Sequence, residues 1–391
     1  MDIEAPLVLL GGLSPRLFMQ RHWQQRPLLV RQAWPGVQPP LTRAQAFAAA
    51  GHEDIESRLV MRDDPAGVDG WSLRCGPLPR RALPAARRPG WTLLLQGLDL
   101  HVPAAHEMLQ RFRFVPDALL DDVMLSWASD GGGVGPHTDA YDVFLLQVQG
   151  TRRWRVAPVP KPQWVAGSPL KRLRNFKATM DWLLQPGDLL YLPPMWGHDG
   201  VAEGGACMTC SIGFRAPSAA DLAQELLQRL TEEEGEPNAE EQALYRQPAR
   251  SATATPGALP AGLAAFARAA LLRRIHEPRA LARLLGEWAT EPKPQVWFEP
   301  GLPLPPGQAI VLHRRTRMMY DSDHIFINGE AFEAGGRDAV LMRALADQRR
   351  LGEREVARLG AQATTLLQDW AAAGWVVARA AAAAQQGTLG D

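Results

Sequence analysis

GGGVGPHTDAYD, residues 131–142, is the most informative stretch of this 391-residue sequence. If the chain is extended here, His137 and Asp139 leave the same face, because alternate side chains of a strand point the same way. A third ligand is available at His198 in PPMWGHDG, residues 193–200. Two imidazoles and one carboxylate are typical of non-heme Fe(II) oxygenases, but zinc and manganese cupins also use His-rich clusters. The spacing therefore predicts a metal site and leaves the metal open.

Short apolar runs surround this stretch. They are rich in Val, Leu, Tyr, Phe and Trp and are separated by Gly, Pro and Asp, as in strands. The runs are 91–98, 123–129, 141–148, 152–158, 188–194 and 207–214. Before them lies one predicted helix, capped by Ser14 with Pro15 at its first position and closed by Arg26-Pro27. This pattern predicts a mainly β antiparallel barrel or jelly roll over residues 1–216.

The pattern becomes helical after residue 216. Ser218 is a predicted N-cap, the stretch 232–260 a linker, and 261–289 a second helical run. These helices expose apolar faces, so we expect them to pack on each other, on the barrel or on a second copy of the chain. The sequence thus predicts a helical region over 217–290.

The last part, 291–391, opens with a proline-rich boundary. Strand-like runs then alternate with turn signals at Asp321-Ser322-Asp323 and Asn328-Gly329, and helices are predicted around 337–347 and 353–372. This α+β pattern is compatible with a winged helix. The basic segment RRTRMM, 314–319, is either a solvated edge strand or a weak RNA or ribosome contact.

Composition excludes several classes of protein. Hydrophobic residues make up 46% of the chain and charged residues 21%, which excludes global disorder. The 42 basic and 42 acidic residues cancel, so the chain is not a general DNA or heparin binder. Three cysteines do not suggest a secreted disulfide framework, and the N-terminal apolar run is too short for a membrane span. We therefore expect a cytoplasmic protein with no membrane association.

Residues 1–216 resemble the JmjC-type 2-oxoglutarate oxygenases. The strings GGGVGPHTDAYDVFLLQVQGTRRWRV, PGDLLYLPPMWGH and SIGFRAPS are similar to those of the bacterial ribosomal oxygenases, especially the ribosomal protein arginine hydroxylases. That family places a helical dimerisation region and a winged-helix domain after its double-stranded β-helix, the order predicted above. The resemblance implies an enzyme that uses Fe(II), 2-oxoglutarate and O2 to hydroxylate the β-carbon of an arginine in a large-subunit ribosomal protein, and that forms a homodimer.

Site residues follow from the resemblance one by one. It makes His137, Asp139 and His198 the iron ligands. It makes Arg152 the partner of the distal carboxylate of 2-oxoglutarate, which suits a planar fork of donors, and Ser126 adds a hydroxyl there. The remaining positions, which hold the substrate side chain in that family, are Asp122, Met124 and Tyr141. A carboxylate beside an aromatic ring is a sensible receptor for a guanidinium group.

The sequence also allows purely structural roles for some of these residues and other functions for the protein. Asp122 could equally be a solvated strand end, and Arg152 an exposed hairpin end after Gly150. Cys207 and Cys210 are interpreted as core thiols, because they lie within one strand and have no second pair. The rival functions are a ribosomal protein histidine hydroxylase, a zinc or manganese cupin isomerase, and a non-catalytic winged-helix adaptor.

Overall fold

The computed structural model describes residues 2–62, 67, 69–232, 243–246, 257, 259–275 and 278–379. The chain divides into two compact units, one running up to Ala216 and the other from Pro217 onward. The finer division of the second part into 217–290 and 291–391 stays a prediction.

Eleven strands and three short α-helices make up the described part of the first unit. The strands are β1 (Leu28–Val30), β2 (Ser57–Arg62), β3 (Trp71–Cys75), β4 (Trp91–Leu95), β5 (Leu120–Ala128), β6 (Val143–Gln149), β7 (Arg152–Pro158), β8 (Met180–Leu184), β9 (Leu189–Leu192), β10 (Trp196–Ala202) and β11 (Cys207–Phe214). The helices are α1 (Pro15–Arg21), α2 (Arg43–Ala49) and α3 (Pro103–Gln110). Single 3-10 turns lie at Val8–Leu10, Arg80–Ala82 and Leu98–Leu100.

Two antiparallel sheets form the predicted jelly roll. The larger has the order β1-β9-β6-β11-β5-β4-β2-β3, and the smaller has the order β10-β7-β8. One apolar cluster joins Val143 and Leu190 of the large sheet to Trp154 and Val156 of the small one. Neighbouring residues of β6, such as Phe144, point to the opposite face and join the main core. Because both faces of β6 are covered, its first four residues, Val143 to Leu146, are all apolar and do not alternate.

The main core combines aliphatic side chains with a group of packed aromatic rings. Trp127 is 2% exposed and lies 4.5 Å from Trp91 and 5.0 Å from Phe47, measured between ring centroids. We expect Trp127→Ala to lower the free energy of unfolding by about 3–5 kcal/mol, because it leaves a cavity the rings cannot fill. Urea denaturation measures this loss. Trp164→Ala is the control, since Trp164 is exposed and its loss should cost no more than about 0.5 kcal/mol. Equal losses would contradict the assignment of Trp127 to the core.

The first helix begins as predicted but ends earlier. The Ser14 hydroxyl accepts a hydrogen bond from the Leu17 amide, and Pro15 is the first helical residue. The helix stops at Arg21 and does not reach Arg26-Pro27, because Gln24 adopts a positive φ of 56° and its amide donates to the Tyr191 hydroxyl. A tertiary contact therefore terminates this helix.

The described residues of the second unit form six helices and six short strands. Its helices are α4 (Ala219–Glu232), α5 (Ala261–Ile275), α6 (Pro278–Thr290), α7 (Gly336–Gln348), α8 (Glu353–Val356) and α9 (Ala361–Ala372). Its strands are β12 (Ile310–Leu312), β13 (Met318–Tyr320), β14 (His324–Ile327), β15 (Glu330–Glu333), β16 (Arg350–Leu351) and β17 (Val376–Ala378). They form two three-stranded sheets, β16-β12-β17 and β13-β14-β15, around one apolar cluster.

Local signals in this unit behave as predicted, with two exceptions. The Ser218 hydroxyl accepts a hydrogen bond from the Asp221 amide, and Asn328 and Gly329 turn the β14–β15 hairpin with positive φ values of 48° and 90°. The predicted run 261–289 is two helices, since Pro278 begins a new one. The run 353–372 is also two helices, since Gly360 is the extended N-cap residue of α9.

The expectations of a linker and of no membrane span can be compared only with the described residues. Most of the predicted linker, 232–260, lies outside them. Among the helices that are described, not one is long and apolar enough to cross a membrane.

Candidate active site

Three potential metal ligands meet at one end of the small sheet. His198 lies on β10 and is 3% exposed. It pairs with His137 through two backbone hydrogen bonds, from His137 N to His198 O (3.0 Å) and from His198 N to His137 O (2.9 Å). The Met195 amide donates to the Asp139 carbonyl at 2.7 Å, which holds the turn of the ligand segment. Backbone pairing thus brings together ligands that are distant in sequence.

The strand predicted over 141–148 is shorter in the structure. It begins at Val143, and of the residues from His137 to Asp142 only His137 takes part in a β-bridge. Pro136 lacks a backbone N–H and Asp139 bonds to the turn at Met195, so the segment leaves the regular ladder. The continuous strand predicted through His137, Asp139 and Tyr141 is therefore absent, and the approach of the His137 and Asp139 side chains depends on the turn.

The ligand atoms are close enough to hold one ion. The three donor atoms lie within 4.8 Å of one another. Asp139 lies between the rings, with Oδ1 3.9 Å from His137 Nε2 and Oδ2 3.5 Å from His198 Nε2. In the described part of the chain, this is the one such group of three or more His, Cys, Asp or Glu residues.

Hydrogen bonds orient both imidazoles for metal binding. His137 Nδ1 lies 2.9 Å from the Gly135 carbonyl, and His198 Nδ1 lies 3.0 Å from the Trp196 carbonyl. A carbonyl only accepts, so Nδ1 carries the proton in each ring and Nε2 presents its lone pair to the cluster. Burial, followed by the nearby His137, lowers the pKa of His198 to about 4, so this ring is neutral at pH 7. A neutral imidazole is the form that binds metal.

Arg152 is a buried cation beside this cluster. It is 3% exposed, its Nη1 donates to Ser126 Oγ at 2.9 Å, and its Nη2 donates to the Gly200 carbonyl at 3.2 Å. Its Nε has no partner, and no carboxylate of the described residues lies within 4 Å of its nitrogens. Burial lowers the pKa of Arg152, which shows the cost of holding this charge away from water. The alternative interpretation of Arg152 as an exposed hairpin end is therefore wrong. Its guanidinium is suited to bind a carboxylate group of a ligand.

Asp122 is buried and firmly held. Its Oδ2 accepts hydrogen bonds from Gln96 Nε2 (2.6 Å) and from the Gly97 amide (2.9 Å). Asp122, Met124 and Ser126 lie on the same face of β5, as their parity predicts. The alternative interpretation of Asp122 as a solvated strand end is therefore wrong, because the residue is buried and accepts these two hydrogen bonds.

Tyr141 lies at the outer side of the site. Its side chain is 42% exposed, yet burial and the carboxylates of Asp139 and Asp122 raise the pKa of its hydroxyl. The negative charges of both carboxylates disfavour the ionised form of this hydroxyl. One region of the jelly roll thus contains the three potential metal ligands, a buried cation, a buried carboxylate and an aromatic ring.

Sequence reasoning did not find the residues that hold this region in place. Gln96 orients Asp122, and it lies within the predicted run 91–98, one residue after β4 ends, where no motif marks it. Asp142 is fully buried, and it accepts hydrogen bonds from the Tyr191 hydroxyl and from Gln24 Nε2 (3.2 Å). Its position, next to Tyr141 in HTDAYD, is the signal that could have drawn attention to it. Cys207 and Cys210 are buried free thiols of β11, as the core interpretation expects.

Comparisons with known proteins agree with this geometry. Residues 107–222 match the family model of the JmjC domain, and residues 273–376 match that of the ROXA-like winged helix. The chain is 30% identical over 336 residues to the ribosomal protein uL16 3-hydroxylase of Escherichia coli K12, covering 83% of this chain and 86% of the relative.

Solved structures of the E. coli protein YcfD share the fold. One X-ray structure has a TM-score of 0.82 and 26% identity, and the match covers 93% of this chain and 97% of that one. A second, described as a ribosomal oxygenase in complex with cobalt and 2-oxoglutarate, has a TM-score of 0.79 and 26% identity, and covers 94% and 98% of the two chains. With this likeness over nearly the whole length, the chain belongs to the family of JmjC ribosomal oxygenases.

Proposed function

We propose that this protein is a 2-oxoglutarate- and Fe(II)-dependent oxygenase that hydroxylates the β-carbon of an arginine in a large-subunit ribosomal protein. The observation that carries the proposal is the buried guanidinium of Arg152, which lies beside the cluster of His137, Asp139 and His198 and has no carboxylate of the described residues within 4 Å. A cluster with two imidazoles and one carboxylate suits iron, and an adjacent buried cation suits an acidic cosubstrate. The family relationship supplies the class of substrate.

Each residue of the metal and cosubstrate region has a separate task. The Nε2 atoms of His137 and His198 and the carboxylate of Asp139 would hold Fe(II). Arg152 and Ser126 would bind the distal carboxylate of 2-oxoglutarate, with the guanidinium already ordered by Gly200 and Ser126. When bound, iron and 2-oxoglutarate supply the oxidising chemistry with O2, and the chain contributes orientation and a water-poor pocket.

Asp122, Met124 and Tyr141 would receive the substrate side chain. Gln96 and Gly97 both bond to Oδ2 of Asp122, which fixes the orientation of the carboxylate before a guanidinium arrives. Tyr141 offers a half-exposed ring to the same cation, and Met124 is half-buried on the same face of β5 as Asp122. A buried carboxylate pairs with a cation better than with a neutral imidazole, which favours arginine over histidine as the target.

Asp122→Asn tests this receptor. We expect the KM for an arginine substrate to rise about 10–100-fold, because the amide keeps the shape but loses the charge that pairs with guanidinium. The measurement is steady-state turnover on a peptide that contains the arginine. Asp121→Asn is the matched control, since Asp121 is the adjacent, less buried carboxylate and contacts Arg215. A similar KM in Asp122→Asn and the parent would argue for another substrate side chain.

Intact-mass analysis tests the proposed function directly. The protein is reconstituted with Fe(II) without oxygen, then incubated in air with 2-oxoglutarate and the ribosomal proteins of the same bacterium. The expected result is a gain of one oxygen, about 16 Da, on one large-subunit protein, absent with His137→Ala, and fragmentation should place the oxygen on an arginine. Oxygen on a histidine would identify the histidine hydroxylase. If the protein binds metal but adds no oxygen to any ribosomal protein and forms no succinate, the result would favour the isomerase or the adaptor function.

We also propose that the protein is a cytoplasmic homodimer. Helices α4 and α5 carry exposed apolar side chains that a second copy could cover: Leu227, Leu263, Leu271, Leu272 and Ile275. Because the proposed substrate is a ribosomal protein, we expect this protein to be in the cytoplasm. Light scattering should give twice the chain mass, and a monomeric mass would contradict the proposal.

A further inference from the structure

A groove in the second unit remains unexplained by the proposed chemistry. It has a volume of about 780 Å³ and is bordered by β15, α7 and α9. Its floor is apolar and includes Ile325, Phe332, Met342 and Leu366. Ile325 and Met342 are also part of the unit's core, so the floor is rigidly supported.

The rim of this groove is acidic. Glu333, Asp338 and Asp369 line it, and the described residues that line it include no Lys or Arg. Asp338 accepts hydrogen bonds from the Gly360 amide at 3.1 and 3.2 Å, which holds its carboxylate at the rim. Glu333 and Asp369 are exposed. The groove therefore favours a partner with basic side chains and repels nucleic acid.

One side of the groove is the edge of a sheet. Among the described strands, β15 pairs only with β14, so it is the last strand of β13-β14-β15. Phe332 and Glu333 of this strand line the groove. The free edge of a strand can accept an extended peptide through main-chain hydrogen bonds, while adjacent pockets take its side chains.

We infer that this groove docks an extended, basic segment of the ribosomal-protein substrate, at a distance along the substrate chain from the arginine that is hydroxylated. The inference rests on the proposed function, because proteins that bind ribosomal RNA carry Lys and Arg for phosphate contacts. The last residues of this chain, 380–391, contain no Lys or Arg, so they do not match the acidic rim. Docking at a second point raises the local concentration of the arginine at the active site.

Charge reversal at the rim tests the inference. The test substrate is uL16, the ribosomal protein in the name of the E. coli relative. Glu333→Lys with Asp369→Lys is compared with the parent in two assays, namely binding and turnover of intact uL16, and turnover of a short peptide around the arginine that is hydroxylated. We expect the Kd and KM for intact uL16 to rise about tenfold or more, through lost attraction and new repulsion, with the short peptide unaffected. The increases in the Kd and in the KM should both be smaller at high salt.

Two further variants separate charge from folding. Glu299→Lys with Glu353→Lys reverses two exposed charges of the same unit that do not line the groove, and it should leave uL16 binding unchanged. Thr365→Trp should fill the groove from the exposed side of α9 and weaken uL16 binding without altering charge.

The outcomes separate the groove from the active site. Unchanged uL16 binding in the rim and Thr365→Trp variants would overturn the inference, as would an equal loss in the Glu299 and Glu353 control. A changed solution mass in the rim variant would assign the groove to a second copy of the chain and also overturn it. If the parent adds no oxygen to intact uL16 or to the short peptide, the proposed function fails for uL16, whereas direct binding of uL16 still decides whether the groove docks it.

Discussion

Asp139→Ala should lower the affinity for a divalent metal by at least about 100-fold and reduce turnover to background. Loss of a residue that only orients a metal ligand typically costs 10–100-fold, so loss of a ligand should cost more. Asp139 is also the single carboxylate between the Nε2 atoms of His137 and His198, and its removal leaves two neutral donors to balance a dication. Calorimetric titration with Co(II), which needs no turnover, measures the affinity.

Asp130→Ala is the control for this experiment. Asp130 lies at the start of the same glycine-rich loop, where its carboxylate is exposed and accepts a hydrogen bond from the Gly205 amide. Its removal should leave Co(II) affinity within about threefold, as expected for a surface substitution. Retention of tight Co(II) binding by Asp139→Ala would contradict the assignment of the metal site.

Arg152→Leu should raise the KM for 2-oxoglutarate by about 100-fold or more. Removing one partner of a buried ion pair typically costs about 3–5 kcal/mol, and each 1.4 kcal/mol is a factor of ten. Co(II) affinity should be unchanged, because Arg152 bonds to Ser126 and Gly200 and to no metal ligand. Turnover at varied 2-oxoglutarate concentration and Co(II) titration provide the two measurements.

The same variant has a stability signature that is independent of activity. Without 2-oxoglutarate, Arg152 is a buried charge with no carboxylate partner among the described residues, so Arg152→Leu should keep or raise the Tm. 2-Oxoglutarate should raise the Tm of the parent and leave that of Arg152→Leu unchanged. Arg153→Leu is the matched control, since Arg153 pairs on the surface with Glu203 and Asp181 and should retain the 2-oxoglutarate response. Loss of Co(II) binding in Arg152→Leu would contradict the role of Arg152.

Much of the β framework was predictable because its signals are local. The runs 152–158 and 207–214 coincide with β7 and β11, and Ser14 caps a helix at the predicted residue. Such signals depend on the size, branching and hydrogen bonding of neighbouring side chains, so they act before the chain folds. Helix ends were less predictable, as at Arg21, because a contact from Tyr191 in a distant strand terminates the helix.

The sequence by itself determined the chemistry available to this protein: two imidazoles and a carboxylate in recognisable motifs, a nearby arginine, and strands able to carry them. The tertiary structure decided how these groups act. It buried Arg152 away from every carboxylate in the described part of the chain, held Asp122 with Gln96, and brought Tyr141 to the site through a turn where a continuous strand was expected. The reason is physical, since burial and the partners of a charge depend on residues distant in sequence, and only packing of the sheets brings them together.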